Sequence, residues 1–380
     1  MTISRRSMIE PFHAMDVLAE ANRLAASGAS VISMAVGQPS DPAPAAVLEA
    51  ADKALKDGRI GYTNTLGLDA LRQRIAQFYF EHYGILADPA NIAVTTGSSA
   101  GFTLAFLGMF DVGDRVAITR PGYPAYRNIM SALGIEVIEI PVGNGAGELT
   151  GERLADIHRT KSLKGLLLAS PANPTGAIVS EQQMRGLIEM AHTLGIEVIS
   201  DEIYHRLSHV GADFSARSVS GDVTVINSFS KYYCMTGWRI GWMILPAHLV
   251  RPVERLAQSL HISAPTLSQH AAIAAFSATV ELEAVKARYA QSRQLLRARL
   301  PAFGFDLAAE MDGAFYAWCD ISKHTNDSMA FARRMLAETY VAATPGADFD
   351  PVMGHRYMRL SYAGAGPDID EALNRIERWL

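Results

Sequence analysis

Disulfide chemistry has little to work with in this chain. Its 380 residues include two cysteines, Cys234 and Cys319, too few for a stapled scaffold. That scarcity fits a reducing compartment, and the cytoplasm is the expected location. No run of about 18 apolar residues occurs, so no membrane span is expected. An excess of positive charge is also missing. The 34 Lys and Arg stand against 39 Asp and Glu, a formal net charge of -5, which argues against nucleic acid as the main partner. The start, Met1-Thr2-Ile3-Ser4-Arg5-Arg6, lacks an apolar stretch after its arginines. Glu10, Pro11, His13 and Asp16 interrupt it, so it reads as neither a secretory nor a twin-arginine signal. No internal repeat or low-complexity segment is visible.

What is present is apolar content: 49% of residues are hydrophobic and 19% charged, enough for a large core and too apolar for disorder. The length exceeds one average domain, so two are expected. Short apolar runs at 92–95, 116–119, 136–140, 165–169, 196–200, 223–227 and 239–244 do not alternate with polar residues, as strands buried on both faces do not. Helical patterns such as 102–110 and 181–194 separate several of them. The reading is α/β, with a mainly parallel seven-stranded sheet flanked by helices. Ligands then belong at the carboxyl ends of the strands. Beyond residue 248 the texture changes to long helices at 249–275 and 282–299. Strands at 315–319, 341–343 and 357–361 and a last helix at 369–379 follow.

The segment Ser228-Phe229-Ser230-Lys231-Tyr232-Tyr233-Cys234-Met235-Thr236-Gly237-Trp238-Arg239-Ile240-Gly241-Trp242 concentrates chemistry. A lysine amine is a poor nucleophile at its usual pKa near ~10.4. Beside another cation and inside a closed pocket its neutral form becomes accessible, and it can hold an aldehyde as a Schiff base. Arg239 supplies that cation and a planar fork for a phosphate. The hydroxyls of Ser228 and Ser230 donate to the same phosphate. A phosphate, an aldehyde and a lysine together describe pyridoxal 5'-phosphate. The alternative, a basic cluster on a solvated surface, would expose Gly237, Trp238, Gly241 and Trp242 without reason.

Other motifs precede and follow in order. Gly97-Ser98-Ser99-Ala100-Gly101 opens a helix and offers free N–H groups to an anion. The remainder are Val36-Gly37-Gln38-Pro39, Gly61-Tyr62-Thr63, Arg120-Pro121-Gly122-Tyr123-Pro124, Ser170-Pro171-Ala172-Asn173-Pro174, Ser200-Asp201-Glu202-Ile203-Tyr204 and Tyr357-Met358-Arg359-Leu360-Ser361. Several are ordinary turns when taken alone. Jointly, the set from Gly37 to Arg359 resembles the class I/II aminotransferases, the aspartate aminotransferase superfamily of pyridoxal phosphate enzymes.

That resemblance implies the PLP fold type I. A large domain at 39–284 would be joined by a smaller α+β domain from the two chain ends, 1–38 and 285–380. It also implies site roles. Lys231 holds the cofactor, and Ser98, Ser99 and Ala100 contact its phosphate. Tyr123 stacks on its ring, and Asn173 and Tyr204 bond the ring oxygen. Asp201 keeps the ring nitrogen protonated, which makes the ring an electron sink. Arg359 clamps the substrate α-carboxylate, and the Gly37 loop covers the substrate. Tyr62 reaches the phosphate of a neighbouring subunit, which makes a homodimer with shared sites the expected partner arrangement. Two departures from the family pattern stand out. Asp350 occupies a position where relatives commonly carry glycine, and a proline usual before Met311-Asp312-Gly313 is missing.

The implied activity is transfer of an amino group between an L-amino acid and a 2-oxo acid. Two alternatives share features: a carbon–sulfur β-lyase on the same fold, and a non-catalytic regulator. Regulators of this lineage carry an added DNA-binding domain, and few residues precede Gly37. A side-chain pocket is expected from the amino-terminal loop, residues 123–127 and the partner subunit. No second arginine for a distal carboxylate can be placed. Arg356 reads as a surface residue. His205 and His209 are spaced i,i+4 but have no third ligand, so no metal is expected. The glycines at 143–147 lack dinucleotide-loop spacing and read as a surface turn.

Overall fold

Neighbouring residues of the apolar runs fall into two different cores. Leu166, Leu168, Val225, Trp242 and Ile244 pack into one cluster, while Leu167, Ile226 and Met243 pack into another. Side chains of a strand alternate between faces, so the two clusters are the two sides of one sheet. This is why the runs show no polar alternation: neither face meets water. Full burial of each such side chain is worth about 1.5–3 kcal/mol.

The computed structural model describes residues 3–58, 60–143 and 145–380. Met1 and Thr2 of the amino-terminal reading and Asn144 of the 143–147 turn lie outside the described residues. A short strand β1 (Ile32–Ser33) precedes the main sheet. That sheet contains β2 (Ile92–Thr95), β3 (Arg115–Arg120), β4 (Glu136–Pro141), β5 (Gly165–Ala169), β6 (Glu197–Asp201), β7 (Thr224–Ser228) and β8 (Gly241–Ile244). Their order is β2-β8-β7-β6-β5-β3-β4. β8 runs antiparallel to both neighbours, and the other pairs are parallel. The helices Gly97–Met109 and Ala247–Leu260 cover one face, and Gly151–Lys161 and Glu181–Thr193 the other. The Glu181–Thr193 helix starts where Ser180 accepts a hydrogen bond from the Gln183 N–H.

A second sheet follows. It takes the order β12-β13-β10-β9 from β9 (Asp306–Leu307), β10 (Tyr316–Asp320), β12 (Thr344–Pro345) and β13 (Tyr357–Ser361), all antiparallel. Between them β11 (Val341–Ala342) pairs in parallel with β1, which ties the amino-terminal segment to the carboxy-terminal one. Helix α1 (His13–Ala26) packs beside β11 and β12.

Four local expectations need correction. Arg239 is not in a strand. Its φ of 52° ends the short turn Thr236–Trp238, and β8 begins at Gly241. The helical stretch 249–275 is two helices, Ala247–Leu260 and Thr266–Ala275, separated by a turn in which Ile262 takes a left-handed φ of 65° and Pro265 leads into the second. The helix expected at 102–110 begins at Gly97. His205 and His209 lie in a turn rather than on a helix: His205 Nδ1 meets the Tyr83 hydroxyl at 2.8 Å, and His209 Nε2 meets the Ala314 carbonyl at 3.1 Å. Among the described residues no helix is long and apolar enough to cross a membrane.

Gln269 locks the Thr266–Ala275 helix to the loop after Tyr62. Its Oε1 accepts from the Leu68 N–H at 2.7 Å, and its Nε2 donates to Thr63 Oγ1 at 3.0 Å and the Ala264 carbonyl at 2.9 Å. Gln269 is fully buried, so Gln269→Leu leaves those partners without water to replace it. A loss of about 2–4 kcal/mol is expected from the urea midpoint. A loss below about 0.5 kcal/mol would show that the lock is not needed.

Candidate active site

The sheet brings the dispersed motifs to one edge. Arg120, Ala169, Asp201 and Ser228 are the last residues of β3, β5, β6 and β7. The loops leaving these ends carry Tyr123, Asn173, Tyr204 and Lys231. Reversed β8 starts at the same edge, so Arg239 arrives there from the opposite chain direction. The Gly97–Met109 helix begins there too, with no side-chain cap on its first N–H groups. A cavity of about 190 Å³ opens between these parts.

Most of the expected residues line it: Gly37, Ser98, Ser99, Tyr123, Asn173, Asp201, Tyr204, Ser230, Lys231, Arg239 and Arg359. Three do not. Ala100 is buried in the helix behind Ser99. The Ser228 hydroxyl sits one layer back, 2.9 Å from Ser230 Oγ and 3.0 Å from the Ile240 carbonyl, where it braces the turn that presents Lys231. Tyr62 is 83% exposed and lies outside the cavity. It shares a separate groove with Thr96, the residue before Gly97. Arg356 is half-buried rather than a free surface residue, and pairs with Asp320 at 2.6 Å.

Two glycines shape the walls. Gly97 has φ +72°, and a Cβ there would come within 2.7 Å of Arg239 Nη2, so the guanidinium lies flat on bare backbone. A Cβ on Gly37 would overlap the Tyr316 hydroxyl at 1.7 Å. The Gly37 carbonyl also accepts from Lys231 Nζ at 2.5 Å.

Arg359 is buried beneath the opening. It donates to Asn173 Oδ1 at 2.8 Å, to Thr344 Oγ1 at 3.3 Å and to the Ala35 carbonyl, while its Nε has no partner among the described residues. Its guanidinium lies 4.3 Å from the Tyr316 ring centre and 4.6 Å from that of Phe349. Because Asn173 accepts at Oδ1, its amide donors remain for the cavity.

Burial sets the electrostatics. Lys231 is pushed down to about 7, first by desolvation and then by the Arg359 and Arg239 charges. Asp201 is pushed up to about 6 by desolvation, against hydrogen bonds from the Tyr126 hydroxyl and the Ile203 N–H that hold it down. Tyr204 meets the Tyr316 hydroxyl at 2.7 Å, and burial pushes it well above the ordinary phenol value.

Sequence reading gave no role to several wall residues, and it placed Tyr126 only within the expected 123–127 pocket region. Tyr126 donates to Asp201, and its place three residues after Tyr123 at a helix start puts both on one face. Tyr316 backs both Gly37 and Tyr204. Phe12, Ala14 and Met15 come from α1, and nothing in the local pattern pointed there. Phe12, Ala14, Met15 and Tyr316 are joined to the site only by tertiary packing.

Known proteins share this fold. The model of "Aminotransferase class I and II" matches residues 29–376. A valine–pyruvate aminotransferase of Mycobacterium tuberculosis is 45% identical over 100% of this chain and 98% of its own. A crystal structure of an aminotransferase from that organism superposes with TM-score 0.96 at 44% identity, covering 100% of this chain and 99% of the other. The aspartate aminotransferase of Thermus thermophilus with maleate superposes with TM-score 0.94 at 29% identity, covering 100% of both chains.

The depressed Lys231 value gives a direct test on the ligand-free protein. The neutral, reactive amine gains population as pH rises through about 7, rather than near the ~10.4 of an ordinary lysine. Competitive acetylation across pH 5–10, read by peptide mass, is expected to show a Lys231 midpoint near that lower value. A midpoint above about 9 would remove the electrostatic basis of the site.

Proposed function

The chain belongs to the class I and II aminotransferases, and from that premise we propose that Lys231, Asp201 and Arg359 carry its amino-group transfer on pyridoxal 5'-phosphate. It is an enzyme of the fold type I, and its substrates are an amino acid and a 2-oxo acid. The observation that carries the residue assignment is the opposition of two displaced ionisable groups in one cavity, an amine lowered to about 7 and a carboxylate raised to about 6.

The walls fit the proposed cofactor. Asp201 is a buried carboxylate without an ion pair among the described residues, and a pyridinium N–H would supply the missing cation. The bare Gly97 backbone beside Arg239, the uncapped helix start and the Ser98, Ser99 and Ser230 hydroxyls form an anion cradle for the phosphate. Tyr123 presents a ring to the cavity, and Asn173 and Tyr204 offer donors for a ring oxygen. When bound, pyridoxal phosphate supplies a conjugated electron sink for charge that develops at the substrate Cα.

The residues of the chain do the rest. Lys231 would hold the cofactor through its amine, and that amine, when free, is placed to serve as the general base for the substrate Cα proton. Its value near neutrality suits it to accept and return a proton. Arg359 binds the α-carboxylate through its fork and is steadied by Asn173 and Thr344. Tyr126 holds the Asp201 carboxylate in place. The Gly37 loop, close enough for its carbonyl to meet Lys231, keeps water from the reacting face.

The reading extends to assembly and layout. The enzyme acts as a homodimer in the cytoplasm, with Tyr62 of one subunit reaching the phosphate cradle of the other. In support, Tyr62 is exposed yet sits on a loop held at the Gly61 carbonyl by Thr266 Oγ1 at 2.5 Å, next to Thr96. Residues 39–284 form the cofactor-binding domain, and 1–38 with 285–380 the smaller one.

Lys231→Ala is expected to abolish turnover and the visible absorbance of the bound cofactor. Asp201→Asn should keep the cofactor but lower kcat more than tenfold, a barrier increase above about 1.4 kcal/mol. A product assay in the unaltered enzyme should show that consumption of the amino donor needs an oxo-acid acceptor. Release of ammonia and pyruvate without an acceptor would instead identify a β-lyase.

Mixing inactive Lys231→Ala chains with an inactive Tyr62 variant should restore activity, because one site of each hybrid dimer carries neither lesion. A stable, fully active monomer in dilute solution would overturn the shared-site arrangement.

A further inference from the structure

Two turns meet over the cavity, and they meet again away from it. The first follows β6 and carries Tyr204; the second follows β7 and carries Lys231. On the cavity side Lys231 Nζ stands 5.8 Å from the Tyr204 ring centre. Outside the cavity their neighbours in sequence touch, with the Arg206 guanidinium 4.5 Å from the ring centre of Tyr232. Arg206 Nη2 donates to the Tyr232 hydroxyl at 2.8 Å and to Glu283 Oε1 at 2.7 Å. The Tyr232 hydroxyl donates to that same Glu283 oxygen at 2.6 Å. The three groups close a triangle in which each is bonded to the other two. Glu283 reaches it from near the start of the helix Thr279–Arg299.

The triangle is held with a strained backbone. Arg206 has φ 73°, a left-handed conformation that residues with a Cβ rarely adopt. Its N–H donates to Asp213 Oδ2 at 2.5 Å, and its Nη1 meets His82 Nε2 at 2.6 Å. Strain of this kind persists where surrounding bonds over-determine it, and here it aims the guanidinium at Tyr232. The rest of the Tyr204 turn is fixed as well. Buried Glu202 accepts from Ser215 Oγ at 2.9 Å and from the Ala216 N–H at 2.8 Å. Tyr232 is buried and follows Lys231 directly, so a grip on its hydroxyl is a grip on the lysine backbone. A surface ion pair would contribute little, but this arginine is largely buried and one carboxylate oxygen serves both partners.

We propose that Arg206, Tyr232 and Glu283 form a clamp that sets the separation of the Tyr204 and Lys231 turns, and that Arg206 and Glu283 are positioning residues for the Lys231 amine. The inference rests on the transaminase reading above and extends it to residues outside the cavity. A lysine that both holds the cofactor and moves the Cα proton tolerates little drift, because proton transfer needs heavy atoms within about 2.6–3.2 Å. With the clamp open the lysine turn loosens and the amine gains water. Its pKa then climbs toward that of an ordinary lysine. The charged groups that act on the amine, Arg359, Arg239 and Asp201, are untouched by changes to the clamp.

Three variants separate geometry from charge. Tyr232→Phe removes a hydroxyl and no charge. Arg206→Lys keeps the charge and loses the fork. Glu283→Ala removes a negative charge, which by direct electrostatics would lower the amine pKa, whereas an opened clamp raises it. Competitive acetylation of the full chain without cofactor, read by peptide mass, should place the Lys231 midpoint at least about one pH unit higher in each variant. In the holoenzyme kcat should fall at least about tenfold, with the donor KM changed less than about threefold. Glu377→Ala, which breaks an exposed pair with Arg299, should move neither readout. Tyr232→Phe is the mildest change and carries the test if another variant fails to fold. A midpoint unmoved in Tyr232→Phe and Arg206→Lys, a downward move in Glu283→Ala, or an unchanged kcat would each overturn the clamp. Midpoints that rise as stated, in a protein whose unaltered form transaminates no donor, would instead overturn the reading on which the proposal rests.

Discussion

An amine without a countercharge, held out of water between two arginines, is the constraint that organises this molecule. Lys231 is pushed down to about 7, and desolvation is the largest cause. Such a group is stable only if the surrounding structure leaves it no escape to solvent. The chain meets that demand with fully buried strands on either side of the Lys231 turn, with the Ser228 and Ser230 hydroxyls, and with the Gly37 carbonyl as partner. The cost is local and is carried by two large apolar clusters on the faces of the main sheet.

Asp201 is the complement of this arrangement. A buried carboxylate would normally be neutralised or paired. Here Tyr126 and the Ile203 N–H oppose the desolvation that pushes it up to about 6, while the charges of Arg359 and Arg239 act on the amine. Opposed displacements of this kind mark acid and base partners in enzyme sites. The sheet makes the opposition possible, because β6 and β7 are adjacent and parallel and end at the same edge. The one reversed strand, β8, lets Arg239 join from the other side and settle on Gly97.

Much of this was legible beforehand. Buried parallel strands announce themselves as apolar runs, and strand ends are where ligands bind, so Asn173, Asp201 and Lys231 could be placed at one edge of the sheet, together with Ser228, whose hydroxyl instead stands one layer behind the cavity. Boundaries were less legible where a residue served the site instead of its element. Arg239 reads as strand because β-branched and apolar residues follow it, yet its left-handed backbone turns its side chain to the anion cradle. The break before Thr266 was missed for a simpler reason: a proline can sit inside or between helical patterns, and only packing of the next helix on the Tyr62 loop decides.

The sequence by itself determined the strand and helix alphabet, the lysine segment with its neighbours, and the order in which the motifs meet the sheet. Those are properties of short stretches, set by side-chain period, backbone restriction and intrinsic chemistry. Only the tertiary structure decided that Tyr126 braces Asp201, that Tyr316 backs Gly37 and Tyr204, that Ser228 supports the lysine turn from behind, and that Asp348 caps a helix more than 300 residues away. The physical reason is that a hydrogen bond or a filled contact needs two groups at about 3–4 Å, and no periodicity along the chain records which distant partner will supply the second one.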